Sequence, residues 1–254
     1  MSRFFHLLRN EIRILLLSPA TYVAAVLSLL MMGAFYFLTL LDLSQREQTE
    51  LPNVVFFRYF LFPACFLAPM LTMKSLAEER RLGTLETLLT TPISAFAVVF
   101  SKFLAAYAFY AALWILALAF PLVATLALPQ PELPGLLLDP GSLLGGYAFV
   151  FLTGMLFIAI GIFASSLTRS QLVAGMLSFS CIFLLIVGLT MLNVQATGLT
   201  GLTPTVGDLI GYFQVFDHYN DFVRGLLDTR PLIYYFSGTL LVLGLASLVV
   251  EAKS

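Results

Sequence analysis

Runs of apolar residues, separated by short polar links, occupy most of this chain, and several are close to the roughly 20 residues an α-helix needs to cross a bilayer core. They predict six spans, at about residues 20–41, 54–73, 103–126, 143–167, 172–192 and 232–250. Pro63 and Pro69 predict kinks in the second span, and the third carries Trp114 and Pro121. The turn Thr168-Arg169-Ser170-Gln171 is so short that spans four and five must be adjacent antiparallel helices. Residues 1–17 read differently. On a helix Phe5, Leu8, Ile12 and Leu15 share one face while Arg3, His6, Asn10 and Arg13 share another, the pattern of a helix lying among lipid headgroups. Residues 1–19 are therefore expected to form an interfacial elbow, turned into the membrane at Ser18-Pro19.

Two polar segments interrupt the apolar pattern. In residues 74–94, Lys74, Glu78, Glu79, Arg80, Arg81 and Glu86 collect between two spans. Gly83 should break a first helical run, and Thr84 should cap a second by accepting free N–H groups of the next turn. Glu86 then sits where a helix N-terminus favours an anion. Leu85, Leu88 and Leu89 fall at i, i+3 and i+4 on one face, and Pro92 ends the helix because Thr91 before it is pushed out of the helical region. Such a short amphipathic helix suits a groove on another protein. In residues 193–230, Leu209, Ile210, Phe213 and Phe216 can cover one side of a short helix after Pro204. Asp217 is expected to cap a second, on which Tyr219, Phe222, Val223 and Leu226 share a face, and Pro231 suits the first turn of the sixth span. Together these two helices would form a rim or lid at the outer leaflet.

Composition agrees with the pattern. The 254 residues are 60% hydrophobic and 11% charged, against about one quarter charged in soluble domains, so the chain reads as an integral membrane protein. A net charge of -1, with basic residues scattered among loops, points to no nucleic-acid partner. Cys65 and Cys181 both lie in apolar runs, which suggests membrane thiols rather than a disulfide. The apolar run after Arg3, Arg9 and Arg13 continues to about Leu41, too long for a signal-peptide core. If the N-terminus is cytoplasmic, that side holds Arg3, Arg9, Arg13, Lys74, Arg80, Arg81, Lys102, Arg169 and Lys253, whereas the far side holds only Arg46, Arg224 and Arg230. By the positive-inside rule both termini and residues 74–94 are cytoplasmic.

Glu78-Glu79-Arg80, followed by Gly83-Thr84-Leu85-Glu86-Thr87-Leu88-Leu89 and Thr91-Pro92-Ile93, resembles the coupling-helix signature of type 2 ATP-binding-cassette exporter permeases. It is most similar to their gliding-motility and copper-maturation groups. His218-Tyr219-Asn220-Asp221-Phe222-Val223-Arg224-Gly225, with Asp228-Thr229-Arg230 and Tyr234-Tyr235, resembles the outer helices that these permeases carry between spans five and six. The resemblance implies an all-α permease domain over residues 1–254 in the bacterial inner membrane. It also implies a separate ATPase subunit that carries the ATP and Mg, a second permease chain making a homodimer or heterodimer, and accessory proteins of the periplasm or membrane. Glu78, Glu79, Arg80 and Arg81 would then pair across the ATPase interface or with headgroups, while Leu85, Leu88 and Leu89 enter the groove.

The same sequence bears on other chemistries. No G-x-x-x-x-G-K-[ST] occurs, so ATP hydrolysis needs a partner chain. Arg58, the ionisable residue inside a span, reads as snorkelling to the outer headgroups. His218 between Asp217 and Asp221 matches no strong ligand spacing and reads as a polar cap on an amphipathic helix. Cys65, Met70 and Met73 are explained by span packing as well as by copper. Gly161 with Ser165, and Ala174 with Ser178, have the spacing of close helix packing, within the chain by default or at a dimer seam. An ion-coupled transporter would want ionisable groups at the centres of spans three to six, which have none, and an intramembrane hydrolase would want a span histidine or paired aspartates. A membrane scaffold is opposed only by the coupling signature.

Overall fold

The computed structural model describes residues 2–45, 51–85, 94–127, 135, 137–188, 191, 215–223 and 229–252. Among them every regular element is a helix. They are α1 (Ser2–Leu17), α2 (Pro19–Gln45), α3 (Pro52–Arg58), α4 (Leu61–Thr72), α5 (Ala77–Leu82), α6 (Ala95–Leu116), α7 (Ala119–Ala127), α8 (Pro140–Leu167), α9 (Gln171–Phe183), α10 (Val215–Val223) and α11 (Thr229–Ala252). A π-turn at Leu184–Gly188 extends α9. Five helical stretches are long and apolar enough to cross a membrane, and a sixth is present if the bent pair α3 and α4–α5 counts as one span. This is a multi-pass membrane protein.

The second span is two helices set at 44°, and the break falls at Tyr59-Phe60. Its cause is Pro63, one turn later. Proline has no N–H to give the carbonyl four residues back, and its ring crowds that carbonyl. Here the orphaned carbonyl is that of Tyr59, which accepts instead from the Phe62 N–H at 3.2 Å. Pro121 acts in the same way on Ala117, whose carbonyl takes the Phe120 N–H at 3.1 Å where α6 gives way to α7. By contrast Pro69 lies inside α4 without ending it. Arg58 is the exposed last residue of α3, at the bend.

The third span begins at Ala95 rather than near 103, because the Ser94 hydroxyl caps it by accepting the Ala97 N–H at 3.3 Å. Lys102, expected in a cytoplasmic loop, is therefore part of the helix and buried. At the other end of the bundle the Asp139 carboxylate accepts the Ser142 N–H at 2.8 Å, and Pro140, which has no N–H to satisfy, opens α8.

The central element is α8, packed against α4, α6, α9, α10 and α11. It carries no charge, and glycines let its neighbours approach. A Cβ on Gly145 would overlap the Phe222 carbonyl of α10, and one on Gly161 would overlap the Thr72 hydroxyl of α4. Ser165, Ala174 and Ser178 are also fully buried inside the chain, so both small-residue pairs serve packing within it. Aromatic rings fill the space around α8. Trp114 of α6 meets Phe57, Phe60 and its own neighbour Tyr110, and Phe149 meets Phe60, Tyr219, Phe222 and Tyr235. Aromatic pairs of this kind add about 0.5–1.5 kcal/mol beyond their buried area.

Gly145→Ala should lower the thermal midpoint of the detergent-purified chain by several degrees, since overpacking against a backbone carbonyl costs about 1–3 kcal/mol. Gly244→Ala, which meets open space, should leave it unchanged or slightly higher. Equal melting of the two variants would mean that α8 and α10 are not in close contact.

Candidate functional site

The polar segment after the second span is held by the ends of two other helices. Ser165, in the last turn of α8, accepts the N–H groups of Leu76 and Ala77 at 3.0 Å each, and its own hydroxyl donates to the Met73 carbonyl at 3.3 Å. One side chain thus satisfies the opening donors of α5, which no residue of the segment caps. Arg80 donates to the Ser166 carbonyl and, at 3.2 Å, to the Val249 carbonyl. Those carbonyls lie in the last turns of α8 and α11, where a cation is favoured by the helix dipole. Arg80 fastens α5 to both ends.

A second tie runs the other way. The Lys102 ammonium donates to Glu79 at 2.6 Å and to Glu11 at 2.9 Å, joining α5 to α6 and α1. The Lys102 side chain is 3% exposed, which is tolerable for an ammonium only with charge partners in contact. Glu78 and Arg81 form a loose surface pair at 3.8 Å, of the sort that contributes at most about 1 kcal/mol.

Two expectations for this segment change. Glu79 and Arg80 are bonded to partners inside their own chain, so of these four charges Glu78 and Arg81 are the ones left on the surface. Leu85 is buried at 5% exposure in the chain's own core rather than projecting outward. The turn that Thr84 is expected to cap lies outside the described residues, and the Thr84 bond that is described runs backwards. The Thr84 hydroxyl donates to the Glu79 carbonyl at 3.3 Å, helping to close α5, whose end is set by Gly83 in the left-handed region at φ 71°. Glu86, Leu88, Leu89 and Pro92 lie outside the described residues.

Residues 2–17 are also rotated from expectation. Phe5 and Ile12 are exposed, while Phe4, Leu7, Leu8 and Leu15 are half-buried around a buried Glu11, because the Lys102 ammonium draws that face of α1 inward. Phe4 stacks on Phe100 of α6 at 6.1 Å.

At the opposite end, α10 begins at Val215, so Asp217 lies inside the helix rather than capping it. The Asp217 side chain, Arg224 and Leu226, like the first outer helix expected over Leu209, Ile210 and Phe213, are outside the described residues. His218 is not a polar cap on a wet face. It is buried, with Nδ1 3.3 Å from the Tyr235 hydroxyl and its ring beside Tyr234. Tyr219 donates to the Val54 carbonyl, and Phe222 is fully buried against Phe149. With Gly145 against its backbone, α10 is a plug in the bundle rather than a loose rim. Cys65 is a buried free thiol and Cys181 an exposed one.

Sequence reasoning overlooked Glu11, Lys102, Ser165 and Ser166 as parts of this site. Glu11 is the one acid among the bases of α1, and Lys102 interrupts an apolar run, so each carried a signal. The serines carried none beyond small size.

A family model described as ABC-2 family transporter protein matches residues 6–251. No curated protein matches the chain.

Lys102→Met should destabilise the detergent-solubilised chain by about 3 kcal/mol, because two carboxylates lose their counter-charge. The combination Glu11→Gln, Lys102→Met and Glu79→Gln should recover most of that loss in the same thermal assay. A triple variant as unstable as the single one would show that charge compensation is not what the cluster contributes.

Proposed function

Because this chain belongs to the ABC-2 transporter family, we propose that it is the permease subunit of an exporter complex, which transmits the work of a separate ATPase subunit to the membrane through residues 74–94. Within the family the proposal assigns it to the gliding-motility and copper-maturation group, on the residues quoted above. The ATPase binds the ATP and Mg; this chain has no phosphate loop and takes no part in hydrolysis. It lies in a bacterial cytoplasmic membrane with both termini inside, α1 acting as the elbow and the turn after Gly83 as the start of the coupling helix. Two permease chains, alike or related, enclose the route, and accessory proteins of the membrane or periplasm join them.

The observation that supports this reading best is how the segment is anchored. Arg80 reaches the ends of α8 and α11, and Glu79 reaches α6 and α1 through Lys102. A displacement of α5 is therefore felt at once by spans three, four and six and by the N-terminal helix. A surface loop held only by its own backbone would yield without moving them. The lysine and arginine balance supports the orientation, since Arg80, Arg81, Lys102 and Arg169 gather at the bundle end where α11 finishes. In this scheme closure of the ATPase subunits pushes on a bistable membrane element and shifts it between two packings.

Leu88→Asp should abolish co-purification of the co-expressed ATPase subunit while membrane insertion and the detergent melting midpoint stay as in the parent chain. Normal recovery of the complex from that variant would overturn the assignment of residues 74–94 to the ATPase.

A further inference from the structure

The cluster that ties α5 to α6 and α1 does not balance its own charge. Two carboxylates meet one ammonium, that of Lys102, and both are bonded through Oε1, Glu11 at 2.9 Å and Glu79 at 2.6 Å. With every group in its ordinary ionised form, one negative charge is left over beside an ammonium side chain that is 3% exposed. The second oxygen of Glu79 is the misfit. Oε2 is buried, and among the described residues it has no hydrogen-bond partner. The same holds for the hydroxyl of Ser75, one turn earlier on a stretch whose backbone bonds run from Glu78 to Lys74 and from Arg80 to Leu76. Buried polar atoms of this kind are nearly always satisfied. Both atoms are covered, so a donor from outside does not reach them, whereas a hydrogen on the carboxyl itself needs no room beyond the oxygen it joins. A buried water would give Oε2 a donor but leave the surplus charge. A proton removes both deficits.

The other charges around Glu79 do not supply the missing positive charge. Glu78, on the same helix, adds a negative one, and Arg81 is engaged with it. Arg80 is turned to the carbonyls of Ser166 and Val249. Lys74 lines the same cavity as Glu79 and pairs with neither carboxylate. Helices α8 and α9, which also pack on α5, carry no charged side chain, and Arg169 of the turn between them and Glu251 of α11 are exposed. Burial pushes the Glu79 carboxyl, in the polar segment after the second span, above the ordinary carboxylate range; Lys102 opposes the rise, and Glu11 and Glu78 add to it.

We propose that the cluster of Glu11, Lys102 and Glu79 is a proton-binding site, which takes up one proton beyond that of the lysine, on Glu79, with the Ser75 hydroxyl as acceptor of the new O–H. The proton comes from water, which reaches the 24% exposed Glu79 side chain, and returns to it; one O–H bond forms and nothing else changes covalently. With the proton on, Lys102 is balanced by Glu11 alone, and its contact with Glu79 becomes a hydrogen bond to a neutral acid, weaker than one to a carboxylate. With the proton off, full charge draws α5 to α6 and α1. In both states Arg80 and Ser165 keep α5 on the ends of α8 and α11. The proton therefore sets how firmly α1 and α6 hold α5. This inference does not use the ATPase partner, and it stands or falls separately from the coupling role.

The test follows the melting midpoint of the full chain in detergent between about pH 8 and about pH 5, the range above the ordinary carboxylate values. A carboxyl that binds its proton more tightly in the folded chain contributes stability that is fully present below its unfolded value, near 4.5, and is lost as the pH rises through its folded value. The parent chain should therefore lose ground to Glu79→Gln as the pH rises, at a steepest slope of about 3 °C per pH unit, which is what one proton sets. Glu79→Gln carries the neutral form permanently, so the gap between the two should close toward the acid end. Glu11→Gln removes the surplus charge with Glu79 intact, and should move the parent's titration to lower pH. Infrared spectra give a readout that packing does not touch: the C=O stretch of a protonated carboxyl, which shifts in heavy water, should exceed that of Glu79→Gln by one group at the acid end and match it at the alkaline end. Parallel melting profiles for the parent and Glu79→Gln, a Glu11→Gln titration that coincides with the parent's, or equal infrared spectra across the range would each overturn the proposal. Should Glu79→Gln fail to fold, the parent's carboxyl band and its displacement in Glu11→Gln decide it in the same way.

Discussion

An ammonium group at the end of a membrane helix has to be neutralised where it lies, and in this protein the neutralising groups come from far along the chain. Lys102 sits two turns inside α6, buried, and its partners arrive from α1 and α5. The cost of burying it alone would be several kcal/mol, so the three elements either assemble together or not at all. That demand explains the rotation of α1, whose acid faces the bundle while Phe5 and Ile12 face outward. It also explains why α5, six residues long and too short to be stable by itself, has a defined place.

Backbone satisfaction imposes a second constraint, and the solution is economical. The free N–H groups at the start of α5 and the free carbonyls at the ends of α8 and α11 are orphans of three helix termini gathered at one end of the bundle. Ser165 answers the first and Arg80 the second. Water could serve such groups at a surface, but the Ser165 and Ser166 side chains are buried there, and the protein supplies the partners itself. The outer end is closed by packing instead. Tyr219, Phe222 and His218 pack with Phe149 and Tyr235, and Gly145 lets the α10 backbone into contact with α8. One end of the molecule is tied by charge and the other by shape.

The breaks in the spans follow from proline chemistry acting at a distance of one turn. Pro63 and Pro121 each deprive a carbonyl four residues earlier, and the helix yields there rather than at the proline. Pro69, deeper in α4, has the same chemistry without the same result.

By itself the sequence determined the class of the protein, its spans to within a few residues at most ends, the stop at Gly83 and the hairpin between α8 and α9. All of these rest on local quantities: apolar run length, a left-handed glycine and a link too short to allow another arrangement. The resemblance carried by residues 74–94 likewise rests on consecutive letters. The tertiary structure alone decided what those letters touch. Glu79, Arg80 and Leu85 looked like an outward-facing surface because periodicity reports which residues share a face and says nothing of which way the face turns. Lys102 looked like a loop residue because hydropathy counts a charge as a cost, and only the approach of Glu11 and Glu79, from 91 and 23 residues away, removes that cost. Direction of a face and pairing across sequence are properties of the assembled bundle, and no window along the chain contains them.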